Sequence, residues 1–542
     1  MKTPARLFAT VFLAMLSVEA RADNTWEAGL NLYQGQVIKK ITIVRKNVFD
    51  DILTNHPHFY YRWANDIHIV TKECVVRREL LFAVGDTLNL ERVIESERNL
   101  RLGQFIGEVY VRADPESSGS GIDLTVTATD LWTTKAETSL DLGGGKYSIG
   151  FAATEGNFMG WGKYIQLTAQ TGNDQKGYEG FYSDDRLLGT RLGIDFHYSR
   201  YTYDKVVALH FRRPQYSLAV PYAFAVNYIK RNSRLRLFND GSEYFRYKHD
   251  MRFIDAQGIY SLGESRRLNL LTGYTFEDNN YSPDIAGAPL NSVIPDDETM
   301  AFPSIGIGGQ VIRYGIERYL DLAGSPEDLT YGAFLTYTIG HSLKNLGANY
   351  LGWYNSISGQ FLANPIGRLF VGGIDRVTWW GHDGRSQRIR HRFETVLYYK
   401  TGPTQVLALN AMTDFAWRQM PTYQVILGGN NGLRGFSSFE LAGTKLAMGN
   451  VEYRFYLPVT ILTVKLGGAA FFDCGNVWQS GQRIDLGQLK SDIGFGLRFG
   501  LTKSATSRVL RLDFARALTQ PGFFISFGSG TVFNLNFTNF NE

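Results

Sequence analysis

RLGIDFHYS, Arg191 to Ser199, sets Leu192, Ile194, Phe196 and Tyr198 at every second position, with Arg191, Asp195, His197 and Ser199 between them. A strand turns successive side chains to opposite faces, so this segment offers one apolar and one polar face. The same alternation recurs in Tyr164–Gln170 and through Leu268, Leu270, Tyr274 and Phe276. Near the end, Ile493, Phe495, Leu497 and Phe499 interleave with Gly494, Gly496, Arg498 and Gly500. The pattern holds from about Lys135 onward with no helical interruption, longer than most soluble single domains. Its polar set is rich in Arg, Asp and Gln, as a wet interior requires. The reading is mainly β: a transmembrane antiparallel β-barrel of about 16 strands, at roughly 25 residues per strand and connection.

Composition agrees. Aromatics make up 14% of the chain, with 57 Gly against 15 Pro. Mean hydropathy is only −0.18, as expected when every second side chain meets lipid. Closing the sheet satisfies all backbone N–H and C=O groups, the one β solution that hydrocarbon allows. A net charge of +4 gives no case for a nucleic-acid partner. Cys74 and Cys474 fall in different regions and show no metal spacing, so neither a metal nor another cofactor is expected. At the start, Lys2 and Arg6, the apolar run Leu7–Val18 and Ala20-Arg21-Ala22 read as a signal peptide over residues 1–22.

Residues 23–130 differ from the rest. QVIKKITIV places Ile38, Ile41 and Ile43 in a strand, and a polar, aromatic insertion follows. Cys74–Phe82 reads as a helix. Asn89 is an N-cap for a second helix, Leu90–Leu102, with Leu90, Val93 and Ile94 opening its apolar face and Gly103 stopping it. Strands Glu108–Ala113 and Ile122–Thr127 complete a small α+β domain of order β-α-α-β-β, leaving 131–542 for the barrel.

The most specific stretch is ILGGNNGLRGFSSFELAGTKLAMGNVEYRFYLP, Ile426–Pro458, followed by AAFFDCGNVW, Ala469–Trp478. Together these resemble the BamA/TamA family of outer-membrane assembly barrels, the bacterial surface antigens. Val75–Val111 resembles the same family's POTRA domain, present here once. The resemblance implies an outer-membrane barrel with a periplasmic POTRA domain. It also implies a long extracellular loop whose Arg-Gly-Phe tip, Gly432 to Phe436 with Arg434 and Gly435 at its centre, folds back into the lumen. Parity places Val451, Tyr453 and Phe455 outward and Glu452 and Arg454 inward, and likewise Lys465 and Asp473 inward. The expectation is that Arg434 pairs with Glu452, Asp473 or both, locking the loop to the wall, with Arg454 and Lys465 as lumen-facing support.

The family's closing strand resembles Phe523–Phe533, with Leu535 and Phe537 prolonging the alternation. The implied function is insertion or translocation of client proteins at a lateral seam between strands near Glu137–Leu142 and Phe523–Phe533. β-addition to the POTRA edge would assist. Outer-membrane lipids, unfolded outer-membrane or secreted clients, and periplasmic chaperones or accessory lipoproteins are the corresponding partners. The alternative is a passive channel or surface receptor. Catalysis is not expected; its best candidates, His382, Asp383 and His391, read better as a polar loop beside interfacial Trp379 and Trp380.

Overall fold

The structure is a computed structural model that describes residues 27–533, apart from 56, 117–120, 144–145, 285–293, 383, 430–431 and 506–508. The expected signal peptide, Asp383, Leu535 and Phe537 lie outside the described residues.

The N-terminal domain opens with α1 (Glu27–Asn31) and β1 (Ile38–Lys46). The insertion that follows holds two helices, α2 (Asp50–Asn55) and α3 (Phe59–Ile67). Then come α4 (Glu73–Glu79), α5 (Leu90–Leu102), β2 (Ile106–Pro115) and β3 (Ile122–Asp130). β3 lies between β1, which it meets in parallel, and β2, which it meets antiparallel. α5 begins where its cap predicts: the Asn89 side chain accepts the Arg92 N–H at 3.1 Å, worth about 1 kcal/mol. α4 ends three residues short of the expected Phe82, because the Leu81 N–H is taken by Ser96 Oγ of α5 at 2.8 Å. Val76, Val93, Leu100, Ile106, Leu124 and Val126 form the centre of this domain's core.

The remainder closes into one barrel, from Thr134–Gly143 to Phe523–Ser529. Among the described residues it has 20 strands rather than about 16. The first six, ending with Asp204–Arg213, have 8 to 10 residues each and short connections. The strand-plus-connection is therefore shorter than the length estimate assumed. Later strands are much longer, up to the 21 residues of Ser242–Leu262. Leu167, Ile305 and Phe495 are 61, 67 and 59% exposed on the outer wall, the apolar band that a bilayer would cover. The inner wall is polar and surrounds a chamber of about 1730 Å³ lined by groups such as Asp255, Gln257, Thr272, Ser304, Thr336 and Ser358. Trp380, expected at the membrane interface, is instead buried among Met300, Phe302 and Tyr354. These apolar neighbours cover more of its large ring than an interfacial position would.

The last strand also departs from expectation. It stops at Ser529; Gly530 takes a positive φ of 76°, and the chain turns away from the wall. Phe533 is buried among Leu320, Tyr331, Phe370, Tyr398 and Val406. Its carbonyl accepts hydrogen bonds from Tyr398 Oη and Arg454 Nη2, both at 3.1 Å. Burial of a phenyl ring and two hydrogen bonds outweigh the backbone bonds that a longer strand would have made.

The N-terminal domain is docked on the strand ends. α5 is buried on both sides. Its apolar side packs on the domain core, and its polar side meets the barrel. Arg101 makes a two-point pair with Asp328 at 2.8 and 2.7 Å. Glu95 accepts from Ser217 Oγ and the Leu218 N–H, and Asn99 donates to the Tyr216 carbonyl. Glu79 of α4 pairs with Arg186 and Arg191. At the junction, Asp130 accepts from the Thr71 N–H at 2.8 Å and Oγ1 at 2.9 Å.

Burial pushes the Asp130 carboxyl up to about 7, against the pull of the two Thr71 donors and Arg45. The ionised form is therefore the costly one in the fold. The junction is most stable below the unfolded value near 4, loses stability as pH rises toward 7, and carries the full penalty above it. Asp130→Asn should flatten this dependence, read as Thr71 amide exchange between pH 5 and 8 after correction for intrinsic rates. Identical pH profiles for the variant and the parent would contradict the assignment.

Candidate functional site

Four neighbouring strands, Lys445–Ile461, Val464–Trp478, Lys490–Leu501 and Val509–Ala517, build one charged patch of inner wall. Their register stacks inward-facing residues in rows. The row nearest the far rim, opposite the N-terminal domain, is Asn450–Asp473–Asp492. Glu452–Phe471–Gly494 comes next, then Arg454–Ala469–Gly496–Asp513, then Tyr456–Gly467–Arg498–Arg511. Two carboxylates, Asp473 and Asp492, thus stand directly opposite each other. Buried like charges require a cation or donors between them.

The loop between Gln405–Trp417 and Lys445–Ile461 supplies both. It carries a small hairpin, Val425–Leu427 with Leu441–Gly443, and its tip reaches the wall. Arg434 is 2% exposed. Its Nε and Nη2 donate to the two Asp473 oxygens at 2.8 and 2.9 Å. Its Nη1 donates to Glu452 Oε2 at 2.9 Å and lies 3.5 Å from Asp513 Oδ2. The guanidinium stacks on the Phe471 ring at 3.4 Å from its centroid. The Gly435 N–H donates to Asp492 at 3.0 Å, and Asn450 Nδ2 bridges the Gly432 carbonyl and Asp473, both at 2.8 Å. Phe436 is fully buried with Leu427, Leu433, Leu446 and Ala517.

The glycines in and beneath the tip provide room. A Cβ on Gly435 would meet Asp492 Cβ at 2.5 Å. One on Gly494 would meet the Phe471 ring at 2.3 Å, and one on Gly496 would meet Asp513 Oδ1 at 2.0 Å. The alternating glycines of the strand therefore hold the space in which Phe471 and the ion pairs lie.

The charges continue along the wall. Glu452 Oε1 accepts from Arg454 Nε and Arg498 Nη2, each at 3.0 Å. Asp513 accepts from Arg498 at 2.5 Å and Arg511 at 2.6 Å. Arg454 reaches Asp321 at 2.9 Å, Tyr398 Oη and the Phe533 carbonyl. A continuous path of paired groups thus links the loop tip to the C-terminal turn. Arginine suits it because one planar guanidinium serves several acceptors at once.

Of the residues singled out from the sequence, Gly432, Arg434, Gly435, Phe436, Glu452, Asp473 and Arg454 come together here. Lys465 does not. It is eight residues along its strand from Asp473 and bonds Tyr319 Oη in a turn on the N-terminal-domain side. Asp492, Arg498, Arg511, Asp513 and Phe471 were missed, although carrying the same alternation along the Asp473 strand and through the next two strands would have placed them inward. Asp321 and Phe533 left no such signal. His382 stacks on Tyr350, whereas His391 pairs with Asp375 at 2.7 Å; the two histidines sit at different registers of their hairpin.

Arg434→Ala should leave Asp473 without its cation and Glu452 with Arg454 and Arg498 alone, at a local cost of about 3–5 kcal/mol. Limited proteolysis of the 418–444 loop in the assembled protein should show its release, with Arg434→Lys intermediate. An Ala variant as protected as the parent would refute the pairing's importance. Phe533→Ala should cost about 3 kcal/mol and lower the temperature at which the barrel loses its compact electrophoretic mobility. An unchanged transition would mean that the C-terminal turn contributes little.

Residues 352–533, which include Arg434 and every carboxylate that it touches, match the Omp85 superfamily domain. Among solved structures, the chain is similar to BamA from Haemophilus ducreyi lacking POTRA domains 1–3, at 13% identity and TM-score 0.40, covering 91% of this chain and 84% of that one. It is also similar to CdiB from Acinetobacter baumannii, at 13% identity and TM-score 0.44, covering 91% and 73%. For CdiB from Escherichia coli the identity is 12% and the TM-score 0.45, covering 90% and 75%. No curated protein sequence matches. The resemblance first read from the Gly-Leu-Arg-Gly-Phe stretch holds over residues 352–533, which carry the Omp85 superfamily domain of an outer-membrane β-barrel.

Proposed function

We propose that this chain, an Omp85 superfamily barrel, inserts or exports client proteins at the outer membrane through the seam between Thr134–Gly143 and Phe523–Ser529. The observation that carries the reading is the length of the closing strand. It has seven residues, the fewest of any barrel strand among the described residues, next to the eight of Gly177–Asp184 and far below the 21 of Ser242–Leu262. Fewer backbone hydrogen bonds make this the least costly place to part the wall, and a freed strand edge templates pairing with an incoming strand. The N-terminal domain would stand in the periplasm. Its sheet leaves β2 as an edge near the barrel, suited to holding extended clients by β-addition. Unfolded outer-membrane or secreted proteins are the clients in this reading, with lipids around the seam. Chaperones or accessory lipoproteins would deliver them, and no catalytic step is required.

The locked loop has a natural role in such a barrel. By tying four strands near the seam into one paired charge cluster, it keeps that part of the wall rigid, so opening concentrates at the short strand. The passive-channel alternative finds support in the large polar chamber. Against it stand the docked N-terminal domain at one end and the inserted loop at the other.

Cysteine pairs scanned between 134–137 and 526–529 should include one that cross-links the seam. The oxidised form should lose client assembly at least tenfold, and reduction should restore it. Full activity with the seam covalently shut would overturn the proposal. Loss of many integrated barrels after depletion would mark a general insertase, and loss of one or two a dedicated exporter. An unchanged outer-membrane proteome would favour the channel or receptor.

A further inference from the structure

The insertion between β1 and α4 is not required by the three-stranded sheet or by the α4–α5 pair, and its longer helix is bare along one side. In α3, Phe59, Trp63 and Ile67 follow one another at intervals of four and so share a face. They are 81, 63 and 52% exposed, and Ile69 just beyond the helix is 53% exposed. The adjoining arc, Tyr60, Tyr61 and Ala64, packs on Val48, Phe49 and Trp132. The apolar side of the helix is thus wider than the domain covers, with Arg62 and Asp66 on the remaining side. Such a face in water is unfavourable unless something else covers it.

Its position indicates the occupant. Trp132 lies two residues before the first barrel strand, and the Phe49 and His68 rings stand 6.5 and 6.0 Å from it. The Lys72 N–H donates to the Gly160 carbonyl at 3.0 Å, and Ile69 Cγ2 would be 3.5 Å from a Cβ on Gly160. Gly160 belongs to the barrel's first turn on the N-terminal-domain side, where Phe158, Met159 and Trp161 are themselves exposed. The bare face therefore runs directly into the rim of the lipid-facing wall, beside the seam.

We propose that Phe59, Trp63, Ile67 and Ile69 lie in the headgroup layer of the bilayer leaflet on the N-terminal-domain side, making α3 an interfacial anchor next to the first barrel strand. Aromatic and aliphatic side chains on one face, with charged residues on the other, are what that layer accepts. The anchor holds the N-terminal domain at the seam strand from the lipid side, while α5 holds it from the lumen side. The inference rests on the barrel's place in a membrane and not on the client-insertion reading, so it survives failure of that reading.

The test uses the full chain with Cys74→Ser and Cys474→Ser, reconstituted in phosphatidylethanolamine–phosphatidylglycerol vesicles with iodide on both sides. One variant carries a fluorophore at Trp63→Cys and the other at Leu32→Cys, a position 78% exposed in the turn just after α1. The label at 63 is expected to be quenched by lipids bearing a shallow nitroxide, and about fivefold less by iodide than the label at 32. Adding Phe59→Ser and Ile67→Ser should return the label at 63 to iodide. Heat-modifiable mobility verifies folding in every case. Equal iodide access at 63 and 32 overturns the anchor. So does a label shielded from iodide yet untouched by the lipid nitroxide, since protein would then cover the face.

Discussion

Arg434 lies inside the barrel wall within reach of Asp473, Glu452 and Asp513, and much of the surrounding structure follows from that desolvated charge. A buried guanidinium without acceptors costs several kcal/mol, and so do buried carboxylates without donors. Asp473 and Asp492 face each other across paired strands, so an inserted loop tip is as necessary to the wall as the wall is to the tip. Glu452 and Asp513 then draw in Arg454, Arg498 and Arg511. Arg454 in turn fixes Asp321 and the Phe533 carbonyl.

The same requirement operates at the other end of the barrel with different partners. Helix α5 would pass for an ordinary amphipathic helix with a solvated polar side. Glu95, Asn99 and Arg101 instead find Ser217, Tyr216 and Asp328 on the strand ends, so polar groups are buried as fully as the apolar side. Arg98, Asn99 and Arg101 of this helix also line the chamber. Motion of the N-terminal domain must exchange those bonds for water, which is cheap for each bond and substantial together.

Period-two alternation made the barrel legible because lipid and lumen demand opposite chemistry at successive residues. It also placed Glu452, Arg454 and Asp473 on the inner face, since parity carries along a strand without error until a bulge intervenes. Strand number was less legible. The six short N-terminal strands and the long central ones have the same local pattern, and only closure of the sheet decides how many fit. Lys465 shows the limit of parity: it faces inward as expected, yet pairs with Tyr319 because height along the strand, and not face alone, selects the partner.

The sequence by itself determined the β-barrel, the α+β domain before it, the caps of α5 and the residues at the loop tip. Each depends on periodicity or on contacts within a few residues, which local composition encodes. Only the tertiary structure decided that Arg434 is shared among three carboxylates, that Gly494 and Gly496 make room for Phe471 and an ion pair, and that the chain leaves the wall after Ser529 so that Phe533 enters the lumen. Those outcomes depend on which residues share a height across strands distant in sequence. Closure and register of the whole sheet set that height, and no segment carries it alone.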